Sequence, residues 1–262
     1  MLEGEANNMN QSLAIKPTQA SVQSIKKTVN TQLFVTEATD FGFFFGRIGA
    51  FIMLLLALPL LIVVSAAIKV ASSGPIFYQQ IRVGRFGKNF SILKFRTMIT
   101  DAEKHTGAVL ATAEDARITR FGKLLRATHL DELPQLWNVV IGDMGFIGPR
   151  PERPVFVDKF VTTIPRYHER HLVIPGITGL AQILLPYDAL PEEKLVLDLT
   201  YLNSRLGWKL KSRIFTATGM KMVRSLIPFL VRFNGAQDYR TLLESMIYTM
   251  REGSTSASTV VR

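Results

Sequence analysis

The chain has 262 residues and carries 31 Lys and Arg against 21 Asp and Glu, a net charge of +10 and a predicted pI near 9.9. That length suits one or two domains with a real core, and the positive balance favours anionic partners: phosphorylated substrates, anionic lipid or nucleic acid. Cysteine is absent, which excludes a disulfide framework, a thiolate zinc site and a cysteine nucleophile.

Residues 1–40 are rich in Asn, Gln, Ser, Thr and Lys and read as a mobile tail. Residues 41–71 read as a membrane segment. From Ile48 to Ile68 the chain is uncharged and almost wholly apolar, enough at about 1.5 Å per residue to reach about 30 Å as a helix. The run starts too far from the N-terminus for a signal peptide. Pro59 in its middle removes a helical hydrogen bond, at about 3 kcal/mol in an ordinary helix interior, and predicts a kink. Arg47 precedes the run, and Lys69, Arg82 and Arg85 follow it. Positive charge on both sides fits a spanning helix, and equally a bent helix that enters and leaves by one face. On either topology the basic C-terminal part belongs in the cytoplasm.

Residues 72–208 read as a compact domain. Ser72-Ser73-Gly74-Pro75 is a break. Ile76 to Gln80 and Phe90 to Leu93 are strand-like, around a turn at Gly84-Arg85-Phe86-Gly87-Lys88. Ile118, Phe121, Leu124 and Leu125 predict a helix with one apolar face. Asp131 and Glu132 then form an acidic pair in a basic neighbourhood. With Pro134 they predict the first turn of a helix whose apolar face is Leu133, Leu136, Trp137 and Val140, stopping at Gly142. Such a pair is either an ordinary helix start or a nucleophile, base or metal ligand at the positive end of a helix dipole.

The surroundings bear on that choice. Arg150 lies between Pro149 and Pro151, in a stiff loop: a rigid turn, or a fork pre-organised for phosphate. Lys94 and Arg96 end a strand two residues apart, hence on one face, and Arg126 shortly precedes the acidic pair. Each alone reads as a surface charge. Together they surround two carboxylates with phosphate-binding cations, a combination that suggests phosphoryl transfer with Mg²⁺ held by carboxylate and substrate phosphate. His168 and His171 are three apart, not the four of a zinc-protease helix, and neither a Walker loop nor a Gly-x-Gly-x-x-Gly is present. No nucleic-acid-binding motif is visible. Residues 209–252 predict basic amphipathic helices, either interfacial or packed on a core. Residues 253–262 read as a disordered tail.

These motifs resemble the bacterial sugar transferases, the monotopic phosphoglycosyl transferases. The matching stretches run in order: Gly74 to Gly84, Lys94 to Met98, Asp115 to Gly122, Leu130 to Val139, Gly142 to Met144, Gly148 to Glu152, Pro175 to Gln182 and Leu197 to Tyr201. The resemblance extends from Phe41 to Arg224. It implies transfer of a sugar-1-phosphate from a nucleotide diphosphate sugar, usually a UDP-sugar, to undecaprenyl phosphate. The scheme is ping-pong, through a phosphosugar on Asp131, and begins synthesis of a surface polysaccharide. It implies Glu132 as a Mg²⁺ ligand, Lys94, Arg126 and Arg150 as phosphate-binding cations, and Asp198 as a further functional acid. It also implies a re-entrant helix bent at Pro59, with Leu58 where relatives commonly carry serine. The form resembled is the minimal one, without further membrane helices before the core.

The expected fold is therefore α+β and mostly helical. A membrane-embedded re-entrant helix joins a small cytoplasmic catalytic domain with a short β element and amphipathic interfacial helices, at the bacterial inner membrane. The competing expectations are an inactive membrane-bound scaffold and a membrane-tethered binder of nucleic acid or anionic lipid.

Overall fold

The computed structural model describes residues 40–104, 107, 115–186, 188–203 and 207–226. The predicted tails and the amphipathic stretch beyond Leu226 lie outside them. The chain forms two compact units, one of Ala38–Phe146 with Pro151–Thr163, the other of Ile147–Arg150 and the chain from Ile164 onward.

The first unit begins with helix α1 (Asp40–Ala71), 32 residues that stay helical across Pro59. It is the one described helix long and apolar enough to cross a membrane, with a most apolar stretch of mean hydropathy 2.9 that is only 11 % buried. Strands β1 (Phe77–Val83) and β2 (Asn89–Phe95) form the expected antiparallel hairpin, with Phe77 opposite Phe95 and Val83 opposite Asn89. Helices α2 (Arg120–Ala127) and α3 (Gln135–Ile141) follow, then β3 (Gly145–Ile147) and α4 (Pro154–Thr163). Val64 and Ile68 of α1 pack with Phe95 and Leu125 into one buried cluster, flanked by Leu61, Ile76, Phe121 and Leu130.

Helix α3 departs from its predicted form in two ways. The acidic pair is not in its first turn: Leu130–Glu132 make a separate 3-10 turn, and α3 starts only after Pro134. Proline has no N–H to donate, so the four-residue ladder is interrupted there. The chain instead tightens into three-residue bonds, Leu133 N–H to Leu130 O at 3.3 Å and Leu136 N–H to Leu133 O at 3.1 Å. The buried face also differs. Gln135, Leu136, Asn138 and Val139 are inside, while Trp137 is 47 % exposed. Asn138 turns inward because it completes the open edge of β2. Its Oδ1 accepts from Leu93 N–H at 3.0 Å and its Nδ2 donates to Ser91 O at 2.8 Å. Gly142 ends α3 as predicted, at φ 95°, donating to Asn138 and Val139 carbonyls. In α2, Leu125 is buried but Leu124 is exposed, and Ile118 lies before the helix, bridged to Met98.

The second unit is built from β4 (Gly176–Thr178) and helices α5 (Leu180–Leu184), α6 (Pro191–Asn203) and α7 (Gly207–Leu226). Leu180, Ile183, Leu197, Leu210 and Ile214 form its core. The described inner face of the basic helix α7 thus packs on protein: Leu210, Ile214 and Ala217 are buried, while Phe215 is exposed.

Candidate active site

Asp131 and Glu132 are presented by a left-handed residue. Helix α2 opens with Thr119, whose Oγ1 accepts from Gly122 N–H at 2.9 Å, and closes at Thr128, whose hydroxyl donates to Leu124 O at 2.8 Å. His129 then adopts φ 57°, ψ 14°, reversing the chain into the Leu130–Glu132 turn. A non-glycine residue there costs about 1–2 kcal/mol, and such conformations concentrate at functional sites. The turn packs against both β2 and α2.

Six of the expected residues lie in this unit: Asp131 and Glu132 on the turn itself, Lys94 and Arg96 on and just after β2, Arg126 in α2 and Pro59 in α1. Asp131 is buried. Glu132 Oε1 accepts from Lys94 Nζ at 2.7 Å, with 16 % of each side chain exposed. Arg126 Nε donates to Thr97 Oγ1 at 2.9 Å. The segment entering α2 is braced by Asp115 and Arg117. The guanidinium's hydrogen bonds, at 2.6 and 2.8 Å, hold the Asp115 carboxyl down to about pKa 2 against a smaller opposing effect of desolvation. Arg96 engages different partners from Lys94. Its guanidinium donates to Ser72 O, Ser73 O and Ser72 Oγ at 2.6–2.9 Å, satisfying carbonyls at the end of α1. Pro59 is an exposed residue within α1.

Arg150 and Asp198 belong to the second unit. Asp198, in α6, is 2 % exposed and lies 2.8 Å from Arg170, itself 4 % exposed. Arg170 also donates to Tyr167 Oη and to Arg150 O. Beside it, burial and then the Arg170 charge push the His171 imidazole down to about pKa 4. Burial raises the Tyr201 phenol to about 12, with its hydroxyl donating to Ile147 O at 3.3 Å.

The sequence did not single out Arg170, His129 or Gln135. Gln135 follows Asp131 by one helical turn, fully buried, with a carboxamide that has no protein partner among the described residues. Its spacing from Asp131 was the available signal. For a divalent cation, Glu132 and Asp131 offer hard oxygen donors. No group of three or more His, Asp or Glu gathers into a metal cage among the described residues. That donor set fits Mg²⁺, which takes one or two carboxylates plus phosphate and water.

The pattern of the bacterial sugar transferases matches residues 41–225. An Aeromonas hydrophila protein, UDP-N-acetylgalactosamine-undecaprenyl-phosphate N-acetylgalactosaminephosphotransferase, is 43 % identical over 62 % of this chain and 38 % of its own length. A Bacillus subtilis protein, putative undecaprenyl-phosphate N-acetylgalactosaminyl 1-phosphate transferase, is 49 % identical over 53 % of this chain and 74 % of its own. A Klebsiella pneumoniae UDP-glucose:undecaprenyl-phosphate glucose-1-phosphate transferase is 41 % identical over 61 % of this chain and 34 % of its own. The chain thus spans little more than a third of the Aeromonas and Klebsiella relatives. With a family match over most of its length and the family's motifs around one acidic turn, the chain belongs to the bacterial sugar transferase family.

Proposed function

We propose that this protein transfers a sugar-1-phosphate from a UDP-sugar to undecaprenyl phosphate in two steps. A carboxylate oxygen of Asp131 attacks the β-phosphorus, and the bond to the bridging oxygen breaks, releasing UMP. An oxygen of the lipid phosphate then attacks the same phosphorus, and the Asp131 carboxylate leaves. The observation that carries this reading is the buried Asp131 on the 3-10 turn that follows left-handed His129, with the Lys94–Glu132 pair beside it. Lys94, Arg126 and Arg150 would offset phosphate charge. Glu132 would hold Mg²⁺, which supplies Lewis-acid neutralisation of the diphosphate.

An acceptor with a polyprenyl tail requires the nucleophile at headgroup depth, and α1 supports that placement. Its exposed apolar surface calls for lipid cover. Near its start, Arg47 Nε donates to Val140 O at 2.7 Å; near its end, Val64 and Ile68 pack with Phe95 and Leu125. Both ends therefore touch one folded unit, which favours re-entry with both ends cytoplasmic over a span. Trp137 and Ile141, exposed one turn apart on α3, suit the interfacial layer. The relatives' names include both N-acetylgalactosamine and glucose, so the donor is set by experiment.

The test is UMP release by solubilised protein with undecaprenyl phosphate and Mg²⁺ across a panel of UDP-sugars, wild type beside Asp131→Asn. Release with one sugar and none from the variant is expected. Equal release from both would remove Asp131 as nucleophile.

A further inference from the structure

Arg150 sits between two prolines, neither of which has an N–H to anchor the loop. The structure ties the loop by its remaining backbone groups. Gly148 N–H donates to Thr178 O at 2.9 Å, Pro149 O accepts from Gly176 N–H at 3.0 Å, and Arg150 O accepts from Arg170 Nη2 at 2.9 Å. Gly148 and Gly176 run so close that a Cβ on either would collide with the other's backbone. Two of these ties are backbone to backbone. The third is a charged side chain that is itself held by two buried partners. Asp198 pairs with it at 2.8 Å, Tyr167 Oη accepts from Nη1, and both of those side chains are essentially buried.

We propose that Arg170, held by Asp198, is a positioning residue of the transfer reaction: it fixes the Arg150 loop and so aims the Arg150 guanidinium. Asp198 then acts through Arg170 and does not touch substrate. A carboxylate 2 % exposed and engaged by a buried guanidinium is poorly placed to meet a soluble nucleotide sugar. Its chemistry is that of a counter-ion that keeps a buried cation in one pose. The inference rests on the phosphate-binding role given to Arg150 above.

The test uses the full chain in detergent, with hydrogen exchange as a readout independent of turnover. Asp198→Asn and Arg170→Lys should speed exchange at the Gly148 and Gly176 amides, and both should weaken binding of UDP with Mg²⁺ by about tenfold. Exchange at the Gly122 amide, in the other unit, should stay at its wild-type rate and so report that the fold is kept. Arg150→Lys should weaken UDP binding without changing exchange at Gly148. Arg150→Lys with Arg170→Lys should bind UDP no worse than Arg150→Lys alone, because both act through one guanidinium. Tyr167→Phe removes only a hydroxyl; it should move exchange in the same direction by less, and serves if the charged variants fail to fold. Unchanged exchange at Gly148 and Gly176 in the variants that fold would overturn the proposal. So would losses in UDP affinity that multiply in the double variant, which would put Arg170 in contact with substrate. Absence of UMP release by the wild type would overturn the proposed activity alone, and the exchange arm would still decide the clamp.

Discussion

Lys94 and Glu132 neutralise each other at 2.7 Å, and both are mostly buried. Glu132→Gln keeps an oxygen that accepts from Lys94 but removes the charge. It should cost only about 1 kcal/mol of stability while lowering turnover by about 100-fold, checked by thermal unfolding beside UMP release. His171 makes a second test. Its folded pKa, about 4, lies below the ordinary 6.5, so between these values the unfolded chain binds a proton that the folded chain does not. Stability should therefore fall as pH drops from about 6.5 towards 4, by up to about 3 kcal/mol, and the loss from this group should then level off. His171→Gln should flatten that part of the profile; an unchanged slope would assign it to other groups. The acidic pair stands out in the sequence because its signal is local: two carboxylates in a basic stretch. Arg170 could not, because the partners that define it, Arg150 and Asp198, are distant along the chain.

The elements were legible where local chemistry governs them. The β1–β2 hairpin follows from alternating apolar residues around a glycine turn, and Gly142 stops α3 where its freedom at positive φ is needed. The phase of α3 was not legible. Hydrophobic periodicity turned Trp137 inward and Asn138 outward; the open edge of a two-stranded sheet decides otherwise, because Leu93 N–H and Ser91 O need partners. Asn138→Leu should leave both unpaired and cost about 2–4 kcal/mol, measured by denaturant unfolding. A cost under about 0.5 kcal/mol, within the usual range for a surface substitution, would mean that water replaces the amide. The turn before α3 has its own test. His129→Val places a β-branched residue at φ 57° and should destabilise by about 1–2 kcal/mol, whereas His129→Asn should be tolerated.

At the scale of the whole molecule, the open question in the sequence was the path of α1. Flanking charge is positive on both sides, so composition alone could not distinguish a span from a re-entrant bend. Tertiary contacts add the information that charge lacks. A straight path from Arg47 to Ile68 is about 30 Å, the thickness of the hydrocarbon layer, yet residues near both ends rest on one unit, at Val140 and at the Phe95–Leu125 cluster. A spanning helix would need that unit to reach across the bilayer. Re-entry, as proposed above, would bring both ends to one surface through a bend at Pro59. The chain has no cysteine, so single cysteines at the ends of α1 can be labelled without background. In sealed inverted inner-membrane vesicles, Asp40→Cys and Ser73→Cys should both react with an impermeant maleimide, and in right-side-out spheroplasts neither should. Reaction of one in each preparation would establish a span. Pro59→Ala restores the missing N–H and relieves about 3 kcal/mol of helix-breaking cost. If the proline sets the bend, adding this change should move the Asp40→Cys label to the opposite side while the Ser73→Cys label stays put.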